Sequence, residues 1–271
     1  MASHADACSR QSAIDGLAAT QLSGCFGAEV SGLDLRRPLT PSARDAISDF
    51  LSRYRVLVFR DQHGVTPKQL LDFATHFGAP ETAPHPSWKH VDDLPGVKEI
   101  WTSDVDTGFD PKNTWHTDGS TRKNTRFISV LQGIELPEYG RDTLFSDMVT
   151  AYEMLSEAMK TFLDGLVAEH SWGAQKPDEP SVYHPLVLED PGSGAKALYV
   201  NHTYTRSISN LRSDESKALL DFLFDQARIP ELQLRVTWRP GTIVMWNNEL
   251  TQHALIRDRP YRRIMHRVMV S

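Results

Sequence analysis

The sequence predicts a mainly β protein with flanking helices, its core a double-sheet jelly roll, or double-stranded β-helix. Three observations carry that prediction. Short segments that alternate apolar and polar residues, or that are dense in β-branched and aromatic ones, recur along the chain and crowd its C-terminal part. About four segments with helical apolar stripes lie between them. No internal repeat, low-complexity tract or shift in composition divides the 271 residues. Sandwiches and barrels run to ~200–250 residues as one unit, so residues 1–271 are read as a single domain.

Residues 1–20 open on a polar stretch and are read as a segment without fixed structure. Ala28-Glu-Val-Ser-Gly-Leu-Asp-Leu35 alternates with period two, as a half-buried strand does. Ser42 is placed as the cap of a helix through Arg53, with Ala43, Ile47, Phe50 and Leu51 on one face. Val56-Leu-Val-Phe59 reads as a buried strand. Thr66-Pro-Lys-Gln69 combines a capping box with proline at the first helical position, and Leu70, Leu71, Phe73, Ala74 and Phe77 form the stripe before Gly78. The stretch 79–112 is rich in Pro, Asp and Thr, with one strand near Lys98–Thr102 and a polar excursion over 104–112. Strands follow at Phe127–Leu136 and Thr143–Phe145, then a helix over about Val149 to Leu166. A hairpin is expected at Pro185–Leu188 and Ala197–Val200, turned by Asp190-Pro-Gly-Ser-Gly194. Ser213 is placed as the cap of a helix to about Gln226. Leu232–Trp238 and Thr242–Trp246 flank the turn Arg239-Pro-Gly241, and Arg263–Val270 is a further strand.

The charge balance, 35 acidic against 29 basic residues for a net −6, argues against gripping phosphate backbones. No nucleic-acid partner is expected. Cys8 and Cys25 make no disulfide framework and no zinc spacing. The first residues lack the apolar core of a signal peptide, and no run approaches the ~18–20 apolar residues that span a bilayer. A cytoplasmic protein without a membrane partner is expected, and its size and exposed helices suggest a homo-oligomer.

Chemistry concentrates in three places. In Trp115-His-Thr-Asp118, residues 116 and 118 of a strand would point the same way, ~6.5–7 Å apart. On that triplet alone, a polar turn in which Asp118 bonds backbone amides accounts for the residues equally well. His253, in Asn247-Asn-Glu-Leu-Thr-Gln-His253, supplies a third donor. Two histidines and a carboxylate are the ligand set of non-haem Fe(II) oxygenases, leaving adjacent positions open on an octahedral metal. On Arg262-Arg-Ile-Met-His-Arg-Val-Met-Val270, a strand would set Arg263 and Arg267 on one face, ~13 Å apart. Two inward arginines imply two bound acids; without the upstream triad, a solvated edge strand is the better explanation.

These residues bring the chain close to a known group. It resembles the taurine dioxygenase / phenoxyacetate-herbicide dioxygenase (TauD/TfdA) family of Fe(II)- and 2-oxoglutarate-dependent oxygenases. The likeness runs from Gly27-Ala-Glu-Val-Ser-Gly-Leu-Asp-Leu35 through Val58-Phe-Arg-Asp-Gln62, Trp115-His-Thr-Asp118, Gly140-Arg-Asp-Thr-Leu144 and Thr251-Gln-His253 to Arg262-Arg-Ile-Met-His-Arg267. By that resemblance His116, Asp118 and His253 match the iron ligands, and Thr143 and Arg263 the residues holding the distal carboxylate of 2-oxoglutarate. Arg267 matches the arginine that takes the sulfonate in taurine dioxygenases. His85-Pro-Ser-Trp88 is similar to their His-Pro-x-Tyr segment, placing His85 and Trp88 in the pocket wall. Lys112 stands where those enzymes have an asparagine, with Asn113 adjacent, and Tyr204 is a further wall. The segment Trp172–Tyr183 is shorter than the corresponding lid.

The resemblance implies Fe(II), with 2-oxoglutarate and dioxygen as cosubstrates. It implies oxidation, by hydroxylation, of an aliphatic C–H in a small organic anion: a carboxylate, sulfonate, sulfate or phosphonate. Succinate and CO2 are the coproducts. A carboxylate at Asp118 argues against a halogenase, which puts a small residue there. Two other readings stay open: a Zn(II) hydrolase on the same triad, with no need of Thr143 plus Arg263, and a non-catalytic jelly-roll binding protein. His170, His184, His202 and His266 lack matched partners and are read as structural, with His266 facing away from Arg267. Trp238 and Trp246 are read as sandwich packing.

Overall fold

A strand covered on both faces has to be apolar at every position, and Val56-Leu-Val-Phe59 is. The computed structural model describes residues 11–14, 16–83, 89–91, 93–102, 115–258 and 261–271. The N-terminal part forms β1 (Gln11–Ile14), β2 (Leu17–Gln21), β3 (Ala28–Ser31), α1 (Pro41–Tyr54), β4 (Val56–Phe59) and α2 (Pro67–Thr75). Next come β5 (Lys89–Val91), β6 (Leu94–Thr102), β7 (Ile128–Glu135), β8 (Thr143–Asp147), α3 (Met148–Glu153), α4 (Glu157–Leu163), β9 (Val167–His170), β10 (Val182–Pro185), β11 (Val187–Glu189), β12 (Lys196–Leu198) and β13 (Thr205–Ile208). Last are α5 (Ser213–Gln226), β14 (Gln233–Val236), β15 (Ile243–Asn247), β16 (Thr251–Leu255) and β17 (Arg263–Val270).

Nine strands form one sheet in the order β1-β2-β3-β4-β15-β7-β17-β6-β5, and β14-β8-β16 form a second. Alternation along each strand sorts the side chains between two cores. Val56, Val58, Leu131, Val244, Trp246 and Met265 of the large sheet pack on Phe145, Leu234 and Val236 of the small one. Their neighbours Leu57, Phe59, Val130, Ile243, Met245 and Val268 point the other way, onto Ile47 and Phe50 of α1 and Leu70 and Phe73 of α2. Around α3 and α5 a third cluster joins Met148, Val149, Leu198, Leu220 and Leu223. The result is the expected mainly β jelly-roll core with flanking helices. No helix among the described residues is long and apolar enough to cross a membrane.

Where local structure departs from expectation, the cause is physical. Part of the N-terminal segment is ordered: β1 and β2 form a hairpin, and β2 pairs with β3 because Leu17 and Ala19 are buried there. The strand expected through Leu35 stops at Ser31, since Gly32 takes a φ of +86° that leaves the sheet. Thr40, not Ser42, caps α1: Pro41 occupies the first turn, and the Thr40 hydroxyl accepts from the Ala43 amide at 3.2 Å. The helix expected from Val149 to Leu166 is two, because the Ser156 hydroxyl accepts from the Met159 amide and starts α4. Ser213 is the first residue of α5, and the cap is Arg212, whose amide donates to Glu215 at 3.0 Å. The capping box at Thr66 is present as read, as is the Asp190 turn, closed by the Gly194 amide on the Asp190 carbonyl at 2.7 Å.

His170, fully buried, lies between His184 and Tyr199, with ring centroids 5.2 and 5.7 Å away. Burial first, then His184 and Arg206, pull its pKa down to about 3. A histidine depressed in the folded state contributes full stability above the unfolded value near 6.5, and loses it as pH falls toward 3. Urea unfolding at pH 5.0 is therefore expected to show about 2 kcal/mol less stability from this group than at pH 7.5. A His170→Gln variant should show an acid loss smaller by that amount; an unchanged loss would contradict the assignment.

Candidate metal and anion sites

His116 is held by the backbone rather than by a regular strand. It makes an isolated antiparallel bridge with His253 of β16: the His116 amide donates to the His253 carbonyl at 3.0 Å and the His253 amide to the His116 carbonyl at 2.9 Å. Asp118 follows in a turn, where Gly119 takes a φ of +78° against the Phe127 ring. Strand alternation is thus not what joins the pair; the bridge and the turn are. The Nε2 atoms of His116 and His253 each lie 3.9 Å from one carboxylate oxygen of Asp118. One donor atom from each of the three residues lies within 4.8 Å of the others.

Several groups hold this arrangement. Asp118 Oδ2 accepts from the Ser129 hydroxyl at 3.1 Å, and Oδ1 accepts from Arg267 Nη1 at 2.8 Å. Asn248, fully buried, ties the set together. Its carbonyl oxygen accepts from the Asp118 amide (3.3 Å) and the Trp246 indole (2.9 Å), while its amide donates to Ser129 Oγ (2.9 Å) and the Phe127 carbonyl (3.1 Å). Burial alone would raise the Asp118 pKa, but Arg267 and, less strongly, the two histidines hold the carboxyl well below the usual range. Burial, then His116, lowers the His253 pKa to about 3. An ionised carboxylate and a neutral imidazole with a free lone pair are the protonation states that metal binding needs. The donor set suits Fe(II).

A candidate anion site lies along β17. Arg263 is buried, with Nη1 donating to the Arg141 carbonyl at 2.6 Å. Burial first, then Arg141, lowers its pKa to about 10, so it stays cationic at neutral pH. Among the described residues its Nε has no hydrogen-bond partner. Its guanidinium lies 5.7 Å from the Trp238 ring centroid, and the Trp238 indole N–H donates to Thr143 Oγ1 at 3.0 Å. Because Thr143 accepts there, its own hydroxyl proton is left to donate to an anion. A buried cation with an unused donor beside that hydroxyl fits a carboxylate such as the distal one of 2-oxoglutarate. Sequence reading gave Trp238 only a packing role and missed Asn248 and Ser129. Adjacency of Thr143 to β14 in the small sheet is what makes Trp238 part of the site.

Tyr204 sits with its ring edge-on to His116 at 6.3 Å, backed by Trp172 at 5.0 Å. Burial, then Asp118, pushes its phenol up to about 12. The structure thus places Tyr204 beside the candidate metal donor His116. His85, Trp88, Lys112 and Asn113 lie outside the described residues.

Residues 18–269 match the family described as taurine catabolism dioxygenase TauD, TfdA family. The chain belongs to that family. An alkylsulfatase of Acinetobacter baylyi is 34% identical over 258 residues, covering 88% of this chain and 79% of that protein. The crystal structure of a taurine dioxygenase from Burkholderia xenovorans is similar with a TM-score of 0.85 at 35% identity, over 94% of this chain and 89% of that one. The crystal structure of AAD-2 in complex with Mn(II) and N-oxalylglycine has a TM-score of 0.79 at 30% identity, over 94% and 96%. The TauD/TfdA-family chain is an Fe(II)- and 2-oxoglutarate-dependent dioxygenase, which converts 2-oxoglutarate and dioxygen to succinate and CO2 while oxidising a substrate. The similar proteins do not favour the hydrolase and binding-protein readings.

Asn248 orients the Asp118 turn without supplying a metal donor of its own. Replacing it with alanine is expected to weaken Fe(II) or Mn(II) binding roughly 10-fold or more, the usual effect of losing a group that orients a ligand. Metal titration monitored by calorimetry tests this, with His116→Ala as the variant that removes a donor outright.

Proposed function

We propose that this dioxygenase oxidises the carbon next to the head group of a small sulfate ester or sulfonate. The observation that carries the proposal is Arg267: a buried guanidinium whose hydrogen bond to Asp118 places it beside the metal donors. Arginine stays charged and grips oxyanions through a planar fork, so a substrate acid held there brings its nearest C–H groups to the triad. The names of the similar proteins, an alkylsulfatase and a taurine dioxygenase, favour a sulfur oxyanion over the other acids considered.

His116, Asp118 and His253 would hold the iron, which with 2-oxoglutarate and dioxygen supplies the oxidising power for C–H hydroxylation. The protein supplies position and charge. Arg263 and the Thr143 hydroxyl clamp the distal carboxylate of 2-oxoglutarate, and Trp238 aims that hydroxyl. Tyr204 closes one side with a neutral phenol. Hydroxylation of the carbon that bears sulfate gives a 1-hydroxyalkyl sulfate. Its carbon–oxygen bond to sulfate then breaks as the hydroxyl proton leaves, giving an aldehyde and hydrogen sulfate; a sulfonate gives an aldehyde and hydrogen sulfite.

Anaerobic addition of Fe(II) and 2-oxoglutarate to apo-protein is expected to produce a visible metal-to-ligand charge-transfer band. His116→Ala should abolish it, and Arg263→Ala should raise the 2-oxoglutarate dissociation constant roughly 10- to 100-fold. Folded, iron-loaded wild type without the band would overturn the site assignment. Trp238→Phe keeps the ring under Arg263 but removes the N–H. Its dissociation constant for 2-oxoglutarate should rise several-fold, about 1 kcal/mol, with iron affinity unchanged. Under air, hexyl sulfate should give succinate and inorganic sulfate in equal amounts; succinate without sulfate would refute attack at the carbon bearing the head group.

A further inference from the structure

β6 and β17 are neighbours in the large sheet, and their register sets Lys98 opposite Arg267. Opposed residues share a sheet face, with Cβ atoms about 4.5–5.5 Å apart. The neighbouring residues say which face. Val97 and Val268 belong to the core under the helices, whereas Ile100 and Met265 pack in the core between the sheets. Lys98 and Arg267 therefore point between the sheets, toward the metal donors. The next cross-strand pair, Glu99 and His266, is matched in charge type, 4.0 Å apart. The pair Lys98 and Arg267 is not.

Both cations are buried, Lys98 at 5% exposure and Arg267 at 7%. Like charges opposed in a sheet destabilise it, and burial removes the water that would screen them. The nearby acids are committed elsewhere. Glu81 pairs with Arg122, and Asp118 pairs with Arg267 within the triad. Among the described residues, no hydrogen bond or ion pair reaches the Lys98 ammonium. Burial, then Arg267, lowers its pKa, which Glu81 only partly offsets.

We infer that Lys98 is a specificity-determining residue, forming with Arg267 a two-cation cradle for a tetrahedral oxyanion head on the substrate. The inference deepens the functional reading above and rests on it. The guanidinium fork engages two oxygens in one plane, and the ammonium, a compact point charge on a flexible stem, takes a third from the neighbouring strand. A carboxylate has only two oxygens, both used by a bidentate arginine. The cradle thus selects sulfate, sulfonate or phosphonate heads over carboxylates of equal chain length.

Calorimetric binding of hexyl sulfate, hexane-1-sulfonate, hexylphosphonate and heptanoate to the anaerobic Fe(II)–2-oxoglutarate enzyme tests this. Wild type should bind the three-oxygen heads at least roughly 10-fold tighter than heptanoate, and Lys98→Met should lose most of that margin while heptanoate changes less than about 3-fold. Lys98→Arg should keep it. The charge-transfer band serves as the check that each variant is folded and loaded. Failure of wild type to bind any three-oxygen head would overturn the sulfate or sulfonate reading, and the cradle with it. Loss of binding in Arg267→Met with Lys98→Met like wild type would overturn the cradle alone. Equal weakening of all four ligands in Lys98→Met would also overturn it, because the lysine would then act only through its field.

Discussion

The carboxylate of Asp118 is the charge around which the site is built. It is nearly inaccessible, and an ion in that position is costly unless hydrogen bonds and opposite charge surround it. The chain meets that demand from four directions. Arg267 comes from β17 and the Ser129 hydroxyl from β7, while Asn248, in the loop between β15 and β16, accepts from the Asp118 backbone amide and donates to Ser129 Oγ, holding both in place. The two imidazoles face it from β16 and the segment bridged to it. Each brings a piece of the large or small sheet to one point, so the geometry of the metal donors and the packing of the sandwich are the same constraint.

That constraint explains why the site lies between the sheets. Alternation leaves every inner position to face the opposite sheet, and most are filled by apolar side chains such as Val58, Trp246 and Phe145. At the site the inner positions of β6 and β17 switch to Lys98, Arg263 and Arg267, and the small sheet answers with Thr143 and His253. Polar groups thus replace apolar ones around the candidate metal donors. On the outer face of the same strands, Val97 and Val268 continue the apolar pattern under the helices.

Much of this was legible in the sequence, because the candidate site residues sit in short, dense motifs. The three donors, Thr143, Arg263 and Arg267 were each identified from such motifs, and the structure brings together the two sets it describes. What was not legible depends on neighbours far apart in the chain. Asn248 reads as an ordinary polar loop residue until its amide meets Ser129, and Trp238 as packing until its indole meets Thr143. Lys98 looks like a strand's solvent-facing residue until register places it opposite Arg267. The reading of His116 and Asp118 as strand neighbours reached the right pair through the wrong backbone, since a bridge and a left-handed glycine do what alternation was expected to do.

The place of β17 in the sheet has a kinetic consequence. It is latest in sequence among the described strands, yet it lies in the interior of the sheet, between β7 and β6. β6 cannot dock, and neither Arg263 nor Arg267 can take its buried position, until that strand threads into place. Pairings so distant along the chain close slowly, because loop-closure entropy must be overcome before contacts repay it. Assembly of the large sheet and burial of Arg263 and Arg267 therefore both depend on the same long-range pairing of β17 with β7 and β6.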